Sequence, residues 1–167
     1  SGKKGASDDS ETVLPYFEIK SKLRIGLRDA KLDDLSVLFE QAGRPQLMSG
    51  SASAMFADDT RVTATLDARW LDLDLISGSD GKMGPKAALA RLGRLAQTWL
   101  PAGIAADVRL GIEQATLGAE TINRVDLSAR QRKTTLEITN LLAELPGGGR
   151  VRLAGSVNGL TGGRPAS

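Results

Sequence analysis

From Val13 onward the chain alternates apolar and polar residues with a period of two. Phe17 and Ile19, then Leu23, Ile25 and Leu27, alternate with Glu18, Lys22, Arg24 and Arg28, which predicts a half-buried strand. The next stretch is ambiguous: Leu32, Leu35 and Phe39 fall at helical spacing, whereas Leu35, Val37 and Phe39 alternate, and we favour a strand. Gly43, Arg44 and Pro45 predict a turn, after which Ala52, Ala54 and Phe56 resume the alternation. The stretch ADDT, residues 57–60, predicts a hairpin tip because aspartate tolerates turn geometry and strand residues follow at once. Val62, Ala64, Leu66 and Ala68 share one face, opposite Arg61, Thr63, Thr65, Asp67 and Arg69. Near Trp70 the apolar set moves by one residue, to Leu71, Leu73 and Leu75. A bulge at Arg69 or Trp70 is predicted, with the strand continuing through LDLDLI.

One segment has a different period. In PKAALARLGRLAQTWLP the residues Leu89, Leu92, Ala96, Trp99 and Leu100 recur every three or four positions, predicting an amphipathic helix over about 86–100, opened at Pro85 and ended by Pro101 and Gly103. Alternation then returns at Val108, Leu110 and Ile112; at Val125, Leu127 and Ala129; at Leu136 and Ile138; and at Val151, Leu153 and Val157. Turn residues at 118–121, 130–133 and 146–149 separate these runs as in an antiparallel meander. About eight strands with one apolar face each, against a single helix of about four turns, leave more apolar sheet than the helix can cover. The sheet must curl, form a closed β-sandwich, or keep an apolar trough. The expected fold is mainly β: a curved antiparallel β-sheet, groove- or taco-like, with one amphipathic α-helix. Its concave face is expected to carry Leu66, Leu71, Leu73, Leu75, Leu110, Leu127, Leu136, Ile138, Val151 and Leu153. The alanines at inward positions, among them Ala52, Ala64 and Ala129, fit a trough suited to acyl chains.

Composition narrows the chemistry. The 167 residues, 41% hydrophobic, suit one domain, residues 13–167, preceded by a flexible polar linker at 1–12. Twenty-two basic and 20 acidic residues leave a net charge of +2, and the six aromatics offer few stacking platforms, so nucleic acid is not an expected partner. Without Cys there are no disulfides, and without His or Cys the commonest general base, the thiolate nucleophile and the usual zinc ligands are missing. No apolar run reaches the length of a transmembrane helix. Ser79 to Lys82 match a Ser-x-x-Lys pattern but lie in a glycine-rich turn without the accompanying motifs. Asp72 and Asp74 would stand on one strand face, able in principle to bind calcium or act as acid and base, and read more simply as the solvated half of an amphipathic pattern. Asp58 and Asp59 read as turn residues, Gly147 to Gly149 lack the helix a phosphate loop needs, and Arg130, Arg132 and Lys133 read as a charged hairpin tip. No enzyme activity, cofactor or metal is expected.

Residues 111–159 carry the alternating pair ATLGAETINRVDLSAR, the strand and turn LEITNLLAELPGG, and the strand GRVRLAGSV. This stretch resembles the repeating unit of the AsmA-like family of bacterial envelope proteins. SGSASAMFADDTRVTATLDARWLDLDLI, residues 49–76, is similar to the strands that precede a linking helix in such proteins. Together the two stretches cover less than half of the chain. The resemblance implies a strongly curved, mostly antiparallel sheet forming a groove, periplasmic and held to the inner membrane by a segment outside this chain. It also implies phospholipid acyl chains as partners, neighbouring segments of the same envelope protein beside it, and a role in phospholipid transport and outer-membrane integrity. It carries no catalytic residue. The alternative is a closed β-sandwich acting as a structural or adhesive module of the envelope.

Overall fold

The computed structural model describes residues 16–41, 43–76, 78, 87 and 104–158. It contains β1 (Tyr16–Ile25), β2 (Asp29–Gln41), β3 (Arg44–Met55), β4 (Arg61–Asp72), a helical turn α1 (Leu73–Ile76), β5 (Ala105–Leu117), β6 (Glu120–Arg132), β7 (Thr135–Glu144) and β8 (Arg150–Asn158). The eight strands form one sheet in chain order, and no ladder joins β1 to β8 among the described residues, so the sheet is open. The closed sandwich is therefore not the architecture adopted: all eight strands share a single layer.

Short turns rich in Gly, Asp and Asn-like conformers make each neighbouring pair antiparallel, with one exception. β4 and β5 run parallel, from Arg61↔Ala105 to Asp72↔Thr116. A parallel pair needs a long crossover, which residues 73–104 supply. The fold is thus two four-stranded meanders, β1–β4 and β5–β8, joined side by side. The helix expected at 86–100 lies outside the described residues, apart from Ala87, which is helical. Ser79 to Lys82 and the linker at 1–12 also lie outside them.

Two phase changes explain patterns that read ambiguously in the sequence. In β2 the register steps between Leu32 and Leu35 against β3 and between Asp33 and Ser36 against β1, and Asp34 has a positive φ of 50°. One extra residue there turns a three-residue apolar interval, which mimics a helix, into a β-bulge that keeps Leu32, Leu35 and Val37 on one face. The predicted change near Trp70 takes another form. Ala68 and Leu71 are both buried in one cluster, yet the β4–β5 register runs unbroken from Ala68↔Ile112 to Leu71↔Ala115. The same change recurs from Ile112↔Val125 to Ala115↔Ile122, beside Arg124 with φ 48°. Three adjacent strands switch parity together, so no residue is inserted into the β4–β5 ladder.

The strand predicted through LDLDLI stops at Asp72. Asp72 is an N-cap, its Oδ1 accepting the Leu75 N–H at 2.9 Å, and the chain turns helical over Leu73–Ile76. Leu73 and Ile76 pack on the buried cluster of Ala68, Leu71, Ile112, Ala115, Leu117, Ile122 and Val125. The core thus sits at the end of the sheet where β4 leaves it. β1 differs from expectation in burial: Phe17, Ile19, Leu23 and Ile25 are about half to three-quarters exposed, and Leu27 lies beyond the strand, fully exposed.

The opposite, polar face carries ion pairs: Lys20 with Glu18, Lys22 with Asp34, Arg24 with Asp33, and both Arg130 and Arg132 with Asp107 at 2.8 and 2.9 Å. All are largely solvated and contribute little to stability singly. The hydrogen bonds from Arg130, then Arg132, hold the Asp107 carboxyl below its usual 3.8. A depressed carboxyl favours the folded state above its unfolded pKa and loses that advantage as pH falls through the folded value. Asp107→Asn is expected to lower stability slightly at neutral pH, the gap to wild type closing below about pH 4 in denaturant titrations at several pH values. A second outcome concerns Gly50, where an added Cβ would lie 1.9 Å from the Thr65 carbonyl oxygen. Backbone cannot yield as a side chain would, so Gly50→Ala is expected to cost about 3 kcal/mol in urea unfolding.

Candidate functional site

The registers align the apolar residues into rows that cross the sheet, and cross-strand partners share a face. One row runs Leu35↔Gly50↔Leu66↔Leu110↔Leu127↔Leu141↔Leu153 from β2 to β8. Beside it runs Leu23↔Leu32↔Ala52↔Ala64↔Val108↔Ala129↔Ile138, and beyond that Ile25↔Ala30↔Ala54↔Val62↔Ala106↔Gln131↔Leu136. The face is leucine-rich in the first row and alanine-rich in the centre of the other two.

Of the ten residues expected on this face, Leu66, Leu110, Leu127, Leu136, Ile138, Val151 and Leu153 share it. Leu66, Leu110, Leu127, Ile138 and Val151 are half-buried, Leu136 is buried, and Leu153 is 50% exposed. Leu71 also lies on this side, fully enclosed in the cluster with Ala68 and Ile112. Leu73 and Leu75 are placed differently: they belong to the helical turn rather than to a strand, with Leu73 against the core. Capping by Asp72 is the reason: once its carboxylate takes the Leu75 N–H, the backbone curls and the alternation ceases to have a strand meaning.

Asp72 and Asp74 correct the sequence reading twice over. Neither is solvated, and they do not form an open acid pair: both are buried. The Asp74 carboxylate accepts the backbone N–H groups of Gly118 and Ala119, at 2.7 and 2.9 Å. These two residues are the turn between β5 and β6, and both have φ of 61°. Asp74 therefore fastens the start of the crossover to a turn whose left-handed backbone is strained at Ala119. Among the described residues no cluster of three or more His, Cys, Asp or Glu is placed to hold a metal, and no helix is long and apolar enough to cross a membrane.

Two polar side chains missed in the sequence are fully buried within the apolar face. Gln131 lies in the third row, and Gln46 faces Phe39 across the β2–β3 ladder, each 1% exposed. Gln46 Oε1 accepts the Asp72 N–H at 2.7 Å, while its Nε2 has no hydrogen-bond partner. Arg44 stands nearby, its Nη1 3.5 Å from Asp72 Oδ2 and its guanidinium 6.0 Å from the Trp70 ring centroid. Parity was the available signal, since Gln46 keeps step with Met48, and Gln131 with Leu127 and Ala129. On the polar face a shallow hollow of about 200 Å³ lies among Lys31, Asp33, Ser51, Ala52, Ser53, Thr63 and Thr65, its lining a mixture of polar groups and hydrocarbon.

Comparison with protein-family models, curated proteins and solved structures finds no match to this chain.

Asp74→Asn is expected to lower stability by about 1–3 kcal/mol, because one of its two backbone donors then faces an amide NH2 instead of an acceptor and the other keeps only a neutral one. Ala119→Gly relieves the left-handed backbone and is expected to leave stability unchanged or raise it by up to about 1 kcal/mol. Urea midpoints of the two variants check both signs.

Proposed function

We propose that this chain is a non-enzymatic lipid-binding segment of a periplasmic envelope protein of the AsmA-like kind, its apolar face receiving phospholipid acyl chains. In this reading it takes part in phospholipid transport and so in outer-membrane biogenesis and integrity. The inner-membrane anchor belongs to sequence beyond these residues. The observation that carries the proposal is the row from Leu35 to Leu153, which crosses seven strands of an open sheet and leaves Leu66, Leu110 and Leu127 only half-buried. A monomeric domain that hides its apolar surface from water has little reason to extend such a row to a 50% exposed Leu153. The outer edges of β1 and β8 lack partner strands among the described residues, and neighbouring segments of the same envelope protein are the proposed continuation there.

A charged residue in the row should expel acyl chains without removing the strands. Leu127→Glu and Leu110→Glu are expected to abolish phospholipid co-purification, as read by native mass spectrometry, while circular dichroism retains its β signature. Undiminished lipid in both variants would refute acyl-chain binding on this face, and a wild-type protein free of lipid would leave a structural module of the envelope as the better description.

A further inference from the structure

We propose that one end of the sheet, at the β1–β2 and β3–β4 turns, inserts Leu27 and Phe56 into the interface of a zwitterionic phospholipid bilayer; this goes beyond acyl-chain binding on the sheet face and does not depend on it. The strand pairings place the turns at two ends, and the ends differ in kind. Gly43, the Gly118–Ala119 turn and Gly147 to Gly149 occupy one end. At the other lie residues 26–28, 56–60 and 133–134, and there the first two turns carry large apolar residues. Leu27 is fully exposed, and Ile25, Met55 and Phe56 are half to three-quarters exposed. Leu27 keeps the step of Leu23 and Ile25 but falls in the turn, where there is no sheet face to bury it. The Phe56 N–H donates to the Arg28 carbonyl at 2.7 Å, extending the Asp29↔Met55 pairing beyond the strands. The two turns therefore protrude as one unit.

Size and charge say what meets these tips. Four side chains on two turns present a few hundred Å², short of the roughly 800 Å² per partner that a stable protein interface buries. A bilayer interface accepts such a protrusion because it needs no complementary surface, and binding grows with the apolar area inserted. Around the tips stand Arg28, Lys31 and Arg61 against Asp29, Asp58 and Asp59, all but Asp29 exposed, which leaves no net charge there. A neutral surrounding does not select an anionic lipid or a polyanion. A phosphocholine or phosphoethanolamine head carries both signs at once and suits cations and carboxylates standing together. The apolar row Ile25↔Ala30↔Ala54↔Val62 begins at this same end, so a docked bilayer abuts the sheet face.

The chain has no cysteine, so Leu27→Cys takes a single environment-sensitive nitrobenzoxadiazole label. With vesicles of phosphatidylcholine and phosphatidylethanolamine its emission is expected to brighten and shift to the blue. The same label at Glu120→Cys, at the opposite end of the sheet, is expected to stay unchanged. Flotation of the unlabelled chain with these vesicles is expected to fall roughly tenfold or more when Leu27→Ser is combined with Phe56→Ser, as two apolar side chains leave the interface. Both positions are exposed, and circular dichroism is expected to keep its β signature. Sodium chloride at about 0.5 M is expected to leave wild-type flotation unchanged, since screening acts on charge and not on insertion. Leu127→Glu is expected to float as the wild type does, so that failure of acyl-chain binding on the sheet and failure of tip insertion are read separately. A label at Leu27 indifferent to vesicles, undiminished flotation of the double variant, or flotation abolished by salt overturns the inference. Self-association that the double variant loses, without flotation of the wild type, overturns it in favour of a protein partner.

Discussion

The constraint on which the structure depends is the register of the parallel joint between β4 and β5. Each meander is held together locally, by turns of a few residues, and would bury little alone. The joint sets Leu66 against Leu110 and Ala64 against Val108, so that rows begun in one half continue into the other. A slip of one residue would turn one meander's apolar side chains toward the other's charged face. The offset is held beyond the ladder itself: Asp74 reaches Gly118 across the same 44-residue separation that relates Arg61 to Ala105. A side-chain carboxylate thus continues the alignment where the strand has ended.

That arrangement gives buried carboxylates a mechanical role in a chain with no histidine or cysteine. Asp72 caps the helical turn and receives Arg44; Asp74 seats the β5–β6 turn. Their lone pairs are spent on backbone donors and a guanidinium, which is what makes burial of two acids tolerable so close to Leu71. The same segment closes one end of the apolar face, where Leu73 and Ile76 meet the core. At the other end the rows run out toward β1 and β8, where Ile19, Leu23 and Leu153 remain half exposed or more.

Much of this was legible in the chain because a strand with one apolar face imposes a period of two. Val108, Leu110 and Ile112 alternate as expected, and the turn expected at 118–121 forms at 118–119; the one expected at 130–133 forms at 133–134, since Arg130 and Arg132 stay in β6 and pair with Asp107, leaving Lys133 alone of the three in the tip. What misled was local. Leu71, Leu73 and Leu75 keep the strand period into a helical turn too short to show a period of its own. The available sign was an aspartate at the cap with another in the first turn. Leu32 and Leu35 looked helical because a bulge adds one residue to a strand, and spacing alone does not separate the two. The parallel joint has no residue signature at all; it follows from the length of what lies between the strands. Gln46 was visible only as a polar residue in apolar step, which becomes meaningful once its burial is known.

The two-meander construction also dictates an order of events during folding. Contacts within β1–β4 or β5–β8 arise between residues close along the chain, and hairpins of this sort close on the microsecond scale. The central pairing instead demands that a loop spanning residues 73–104 be closed before any of its bonds is rewarded, an entropic toll that slows non-local pairing. Two preformed half-sheets meeting late, with the crossover as tether, is the kinetic signature written into this topology.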